Sequence, residues 1–539
     1  MRARHGAPGG SRRGAKPPAR RAIGGGPQWI RLCPAQPLTS IFVPNQRPDL
    51  TATQRAAIEE LLGRVSPVAD ALGERFAAQG RELAIVGGTV RDIMLGRFGN
   101  DLDLTTDAEP EQILKLVQGW ADDVWTVGIE FGTVGCRKDG QQLEITTYRS
   151  ESYSPKSRKP AVRYGDSLEG DLARRDFTVN AMAVRLPGHE FVDPYGGMAD
   201  LRAKVLRTPG RPEDSFNDDP LRMMRAVRFA AQLGFAVDPP VREAAAAMAD
   251  RIAIVSAERV RDELVKLLLS ERPRAGVELL VELGLARHVL PEIPKLRLEI
   301  DEHHRHKDVY EHSLTVLDQA IELEHRRNMP PDLVLRLAAL LHDIGKPRTR
   351  AFEAGGRVTF HHHEVVGESM ARKRLAALRF PKDVVAKVAK LVGLHLRFHG
   401  YGSGEWTDSA VRRYVRDAGD ELERLHVLTR ADCTTRNRRK ATALSRAYDD
   451  IERRIERLAE EEELARLRPD LDGNEIQRVL GIGPGPLVGK AYRFLMELRL
   501  DRGSIGVEAA TRELLRWAAE EGIAPAGGAS GAESSDGTE

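Results

Sequence analysis

The stretch that most constrains this chain is Leu83–Thr106, LAIVGGTVRDIMLGRFGNDLDLTT. Leu83–Val86 is an apolar run of strand length, Gly87-Gly88 breaks it, and Thr89–Leu95 reads as a helix start. Glycines let a backbone approach an anion, and the free amides of a first helical turn point at it. Arg91 sits in that turn, where it can add a charge-assisted hydrogen bond to phosphate. Asp101-Leu102-Asp103 follows in an alternating segment. In a strand, residues i and i+2 share a face, so both carboxylates project together while Leu102 and Leu104 face the core. Adjacent carboxylates repel unless a cation lies between them. Their hard oxygens suit Mg²⁺, and a metal pair can clamp the attacking and leaving oxygens of a phosphoryl transfer.

A glycine pair or a DxD alone is more often a turn or a strand edge. Together, at this spacing, they resemble the nucleotidyltransferase signature GGxVRD…DxD. The chain has 539 residues, enough for several domains. Its apolar fraction of 41% supports ordinary cores, and no apolar run is long enough to span a membrane. Cys33, Cys136 and Cys433 have no CxxC spacing, so we expect neither disulfides nor a zinc knuckle, and a reducing cytoplasm as the working compartment. The net charge of +2 is uneven. Residues 1–48 hold nine Lys/Arg and no Asp or Glu, which leaves 73 basic against 80 acidic residues in the rest. A nucleic-acid partner therefore needs a local basic surface. Residues 1–48, rich in Gly, Pro, Ala and Arg, are expected to be disordered. A basic RNA-contacting tail and an upstream start-site artefact are the two readings of this segment, since its Gly/Pro density opposes an amphipathic transit peptide.

Helical periodicity runs over Thr51–Gln79, and Glu109–Trp120 reads as a helix with Pro110 in its first turn. Gly128–Arg149 reads as a hairpin about a Lys138-Asp139-Gly140 turn. Glu144, on its second strand, is either a third carboxylate near the metals or a solvated strand residue. Glu151–Gly165 is polar and reads as a mobile loop. Arg174-Arg175-Asp176 precedes a buried strand or helix, and Phe191–Leu201 reads as a strand ending in a Pro/Gly turn. Asp218–Gly234 is an amphipathic helix on which Arg222, Arg225 and Arg228 drift around one broad face, with Asp219 one turn earlier. A solvated arginine stripe is the ordinary reading. Met223, Met224, Val227 and Phe229 between them leave little room for a second exposed face. Ser256–Leu269, with Ser256 as N-cap, and Ala275–Val289 continue the helical pattern.

The chemistry then changes. HHRH at 303–306 precedes His312 on a helix, and His342-Asp343 closes the apolar helix Leu333–Lys346. His361–His363 follow a short hairpin, His395 and His399 follow LVGL, and Asp432 lies in RADC. One such histidine is usually structural. The ordered set is a metal-site constellation in which imidazole and carboxylate hold a divalent ion and a bound water becomes a nucleophile. Ala441–Leu467 is a charged helix whose Glu460–Glu463 run is a solvated face. Asp470–Gly489 reads as helix, Gly/Pro turn, helix, and the end from Ser530 is polar and disordered.

LAIVGGTVRD, NDLDLTT, RRDFTVNAMA, DPYGGMADL and DDPLRMMRAVRFA occur in the order found in bacterial CCA-adding tRNA nucleotidyltransferases, the class that also contains bacterial poly(A) polymerases. The chain resembles that family from about Leu61 to Ala519. The resemblance implies an α+β fold: a polymerase-β-like head with a mixed sheet, then an all-α neck, an HD body and a helical tail. The expected divisions are a tail at 1–48, head 49–208, neck 209–298, HD domain 299–450, RNA-contacting helical tail 451–525 and a disordered end at 526–539. It implies that Asp101 and Asp103 hold two Mg²⁺ ions while a tRNA 3′-hydroxyl attacks the α-phosphate of CTP or ATP. Gly88 and Arg91 would contact the nucleotide, and Arg175 its triphosphate or ribose. Asp219 and Arg222 would template the base, with Arg225 and Arg228 supporting the site or meeting phosphates. His312, His342, Asp343 and Asp432 would form the HD site, joined by His363 and His395, with a second divalent transition metal. The partners implied are tRNA, CTP and ATP, with no membrane; the oligomeric state is left open.

TVGIEFGTV, Thr126–Val134, looks like the CCA-adding version, since bacterial poly(A) polymerases carry a more basic stretch there. Other readings are a poly(A) polymerase, a CC- or A-adding half of a split system, an HD phosphohydrolase as the main activity, and an RNA-binding module with a dead head. The intact DxD opposes the last.

Overall fold

The computed structural model describes residues 67–97, 99, 101–152, 161–165, 167–297, 308–353, 358–398, 401, 406–434, 437–462 and 468–523. The readings of residues 1–48, HHRH at 303–306, His399 and the terminal residues from 526 lie outside the described residues, as do parts of the expected helix Thr51–Gln79, the loop Glu151–Gly165 and the Glu460–Glu463 run.

The organising stretch folds as its alternation implies. Leu83–Val86 is strand β1, fully buried. Gly87, at φ 72°, turns the chain into the helix Gly88–Met94. Asp101–Thr106 is β2, with Asp101 and Asp103 exposed and Leu102 and Leu104 buried. Asp123–Trp125 (β3), Thr133–Lys138 (β4) and Gln141–Thr147 (β5) follow. β4 and β5 form the expected hairpin, and Asp139 and Gly140 both have positive φ, as a tight two-residue turn requires. Arg149–Ser152 (β6) pairs with Ala161–Tyr164 (β7). Ala183–Leu186 (β8) and Glu190–Val192 (β9) complete a seven-stranded mixed sheet of order β3-β4-β5-β2-β1-β8-β9. Only β2 and β5 run parallel within it. One face buries Leu102, Leu104, Leu143, Ile145 and Val134, and Pro110–Val117 packs on β4 and β5. The opposite face carries Asp101, Asp103 and Glu144 and remains open.

Two local expectations are refined. Phe191–Leu201 is not a strand throughout. After Val192 the Asp193 carboxylate accepts from the amides of Gly197 (2.7 Å) and Met198 (2.9 Å), which starts the helix Gly197–Ala203. The stretch after Arg175 is both things offered for it, a 3₁₀ turn at Thr178–Asn180 and then β8.

Beyond the head the chain is helical. Asp218 ends the helix Pro212–Asp218, and Pro220 restarts the chain as Leu221–Leu233, capped by Gly234 in the left-handed region. Ala257–Leu268, with the Ser256 side chain as N-cap, and Pro273–Glu282 pack against it. Val309–Arg326, Leu333–Leu341, His363–Ala377, Lys382–Leu394 and Leu422–Asp432 form the next bundle. Arg336, 2% exposed, ties the two bundles together. It donates to Glu324 and to the carbonyls of Leu268 and Ser270, so both charges of the Arg336–Glu324 pair are satisfied out of water. After the helix Arg438–Glu462, the last helices, Gly473–Leu480, Pro486–Arg502 and Val507–Glu520, close on their own apolar cluster of Leu471, Ile476, Leu480, Leu495 and Leu514. Among the described residues no helix is long and apolar enough to cross a membrane.

Candidate active site

The head and the helix Leu221–Leu233 face each other across an open cleft. Its walls carry eight arginines against four carboxylates, among them Gly88, Arg91, Asp103, Glu144, Arg175, Asp219, Arg222, Arg225 and Arg228. The surplus of positive charge suits a polyanion, and every head and neck residue singled out in the sequence except Asp101 lines this cleft. Asp101 lies two residues before Asp103 on the same strand face, also exposed. In the parallel pairing of β2 with β5, Asp103 is the register partner of Glu144. Three carboxylates thus share the open face. The loss of water around Asp103 raises its carboxyl above the ordinary range; Arg175 and Arg91 work against that, and Glu144 and Asp101 add to it. This all-oxygen set fits a hard divalent cation. Cys136 is buried and Cys433 half-buried, and both are free thiols.

The arginines are not a solvated stripe. Arg225 forms an ion pair with Asp176 at 2.6 Å, and Arg228 one with Glu263 at 2.5 Å. Arg91, Arg225 and Arg228 all approach the Phe229 ring, at 5.0, 5.4 and 3.9 Å from its centre. Asp176 also accepts from Asn180, whose own carbonyl accepts from Arg91 at 2.7 Å. Arg174 and Arg175 both pair with Asp171, buried one turn earlier. Burial opposes the charge on Asp176, but Arg225 and Asn180 outweigh it and hold its carboxyl down at about 2. Asp219 accepts from the Leu221 amide (3.1 Å) and from Arg259 (2.7 Å). Arg222 donates to Ser215 Oγ (2.9 Å) and to the Arg174 carbonyl (2.5 Å). Asp171, Asp176, Asn180, Arg259 and Glu263 had no role assigned from the sequence. Asp176 adjoins the Arg174-Arg175 pair, and that adjacency is the signal the sequence offers for it.

A second cluster lies in the helical body. His312, His342 and Asp432 converge, and beside them Asp343, His363 and His395 do the same, the ligand atoms of each group lying within 4.8 Å of one another. His342 Nε2 is 3.3 Å from His312 Nε2 and 3.2 Å from Asp343, and His312 Nε2 is 2.9 Å from Asp432. His342, His363 and His395 each turn Nδ1 to a backbone carbonyl three residues back, Ala339, Phe360 and Val392, at 2.7–2.9 Å. A carbonyl only accepts, so each Nδ1 carries hydrogen and each Nε2 faces the cluster, the orientation a metal-binding histidine needs. His363 Nε2 is buried and makes no hydrogen bond. Burial opposes a proton on His342, but Asp343 and Asp432 hold its pKa up at about 9, while burial and His342 push His395 down to about 3. Four imidazoles and two carboxylates suit a borderline transition metal better than Mg²⁺. The structure brings all six body residues together, including His363 and His395.

Three family models match the chain in succession. Residues 83–207 match the Poly A polymerase head domain, 234–296 the probable RNA and SrmB-binding site of polymerase A, and 309–437 the HD domain. An A-adding tRNA nucleotidyltransferase of Deinococcus radiodurans is 39% identical over 66% of this chain and 80% of that protein. A CC-adding tRNA nucleotidyltransferase of Thermus thermophilus is 33% identical over 80% of this chain and 93% of its own. The CCA-adding enzyme of Bacillus subtilis is 42% identical over 38% of this chain, and the match spans about half, 51%, of that protein. In fold, the chain is similar to the Bacillus stearothermophilus CCA-adding enzyme solved with CTP, with a TM-score of 0.60, 24% identity, and coverage of 84% of this chain and 98% of that one. The α+β head with a helical body behind it is therefore the fold of these enzymes, and the chain belongs to the poly(A) polymerase-like tRNA nucleotidyltransferase family, with an HD domain in its body.

Proposed function

We propose that this chain adds C, C and A to tRNA 3′ ends without a nucleic-acid template, using CTP and ATP and releasing pyrophosphate. The observation that carries the reading is the opposition, across one arginine-rich cleft, of the carboxylate face of β2 and β5 to Asp219 and Arg222 on the neck. The relatives that align along most of the chain are named for one part of that work each, A addition or CC addition. The domain limits that go with this reading are head 49–208, neck 209–298, HD body 299–450 and RNA-contacting tail 451–525.

Asp101 and Asp103 would hold Mg²⁺, which supplies charge neutralisation on the phosphates and a more acidic attacking hydroxyl. The rest is positioning. Gly88 leaves room for the triphosphate beside Asp103, and Arg91 and Arg175 neutralise it. The tRNA 3′-hydroxyl attacks the α-phosphorus, the new P–O bond forms in line with the breaking one, and pyrophosphate leaves. Asp219 accepts from the exocyclic amine of cytosine or adenine, and Arg222 donates to the ring nitrogen beside it. Uracil and guanine present the opposite polarity, so neither side chain finds its partner on the base and like groups face each other, a penalty on the order of several kcal/mol. Arg225 and Arg228, each held by a buried carboxylate, keep the wall of the base site rigid. The test is incorporation from each of the four nucleoside triphosphates by Asp219→Ala. The expected result is that the preference for C and A over U and G shrinks by about tenfold or more. Unchanged selectivity would remove Asp219 from the template.

The HD cluster favours a second activity beside the first. His312, His342, Asp343, His363, His395 and Asp432 would hold one or two divalent transition metals, which supply a bound hydroxide and Lewis acidity for phosphoester hydrolysis. The chain's own part is to orient the imidazoles through the three carbonyls and to keep Lys346 2.9 Å from Asp343.

A further inference from the structure

We propose that the Trp125 indole is the platform on which the base at the RNA 3′ end stacks while its hydroxyl attacks; the proposal rests on the nucleotidyl-transfer reading above. Asp103 pairs with Glu144, Glu144 with Gly135, and Gly135 with Trp125, so one row of side chains crosses β2, β5, β4 and β3 on the open face. At about 4.8 Å per strand the row is about 14 Å long. Gly135 leaves a gap in it. A Cβ at that position would overlap the Trp125 ring, whose Nε1 is the nearest atom, so the indole lies folded across β4 toward Glu144.

That is the wrong side of the sheet for core packing. The apolar residues of these strands, Leu102, Leu104, Leu143, Ile145 and Val134, face the other way. The indole is half-buried over Gly135, and just beyond it Val127 and Phe131 are 85% and 48% exposed.

The chemistry says what would come to this place. The leaving pyrophosphate belongs beside Gly88, Arg91 and Arg175, on the β1 side of the carboxylates. In-line displacement requires the attacking hydroxyl on the opposite side, over β5 and β4. The base attached to that hydroxyl then reaches about one nucleoside further along the row, onto the indole. The terminal base also changes between rounds of addition. A site that read its hydrogen-bonding edge would fail after the first round, whereas stacking accepts any base.

An aromatic ring covering a glycine also stabilises a sheet edge, and the test must separate the two roles. Full-length wild type, Trp125→Phe and Trp125→Ala would be compared on a tRNA acceptor minihelix carrying 2-aminopurine as its 3′-terminal base, whose fluorescence falls when it stacks. Incorporation kinetics would be run in parallel on tRNA ending before CCA. The expected result is quenching by wild type and Trp125→Phe and none by Trp125→Ala. The KM for tRNA should rise about tenfold or more in Trp125→Ala while the KM for CTP stays where it was. Equal quenching by wild type and Trp125→Ala would overturn the proposal and leave the transfer reading standing. So would a lower melting temperature with both KM values raised alike. A wild type that incorporates no nucleotide would overturn both.

Discussion

Replacing Asp176 by Asn keeps the shape of the side chain and removes its charge. Asp176 is 7% exposed and accepts from Arg225 through two nitrogens, at 2.6 and 2.7 Å, and from Asn180 and the Phe177 amide, both at 2.9 Å. Its carboxyl is held down at about 2, against an ordinary 3.8. That difference is worth about 2 kcal/mol of folding stability. Because the folded carboxyl is the more acidic, this contribution is complete above about pH 4 and is lost as the pH falls toward 2. The substitution also strands Arg225. Breaking a buried pair typically costs about 3–5 kcal/mol, and here Glu263, 3.8 Å from Arg225, remains as a weaker partner. We therefore expect a loss of about 3 kcal/mol. Asn180 would lose its charged acceptor and with it the grip on Arg91. Both arginines line the cleft, so the KM for CTP and for ATP should rise together, by about tenfold, while the choice of C and A over U and G, set at Asp219, stays. Urea unfolding followed by fluorescence reads the first effect and steady-state incorporation the second. A variant within about 0.5 kcal/mol of wild type with both KM values intact would refute the reasoning.

His342→Ala should leave nucleotide addition largely intact while reducing the transition-metal content of the purified protein, read by elemental analysis, and abolishing any phosphatase or phosphodiesterase activity. An equal loss of nucleotide addition would mean that the two sites are coupled. His426 is held down at about 4 by burial, which the neighbouring Arg327 and Arg430 reinforce and Glu452 opposes. The unfolded chain binds a proton there that the folded chain refuses, so stability should fall by about 2 kcal/mol between pH 7 and pH 5. His426→Phe, which preserves the stack on Tyr414, should flatten that slope in thermal melts; an unchanged slope would exclude His426 as its source.

Where a rule of local spacing governs the chain, the fold was readable in advance. Period-two alternation placed Asp101 and Asp103 on one face, and Asp139-Gly140 could only be a tight turn. The family order of the motifs carried the head and neck, and the ordered His/Asp set carried the HD body. The supports of the site were not readable, because they act between elements distant in sequence. Nothing local marks Glu263 as the counter-ion of Arg228, 35 residues earlier, and a polar residue inside an amphipathic helix reads as a solvated one. The arginines of the Leu221–Leu233 helix looked ambiguous for the same reason, since only the packed structure supplies their carboxylates. In the HD body, His342-Asp343 announced itself by adjacency, whereas His363 and His395 join it only when three helices close around Asp343.

What this cleft builds can be read directly from its products. The direct measurement supplies purified full-length protein, Mg²⁺, CTP and ATP, singly and together, to three tRNA transcripts ending before CCA, after C and after CC, and reads the products at single-nucleotide resolution. The expected result is completion to CCA on each transcript, two C additions and then one A on the first, followed by arrest. Arrest after the second C, addition of A to the CC end alone, or an unlimited ladder of A would contradict it.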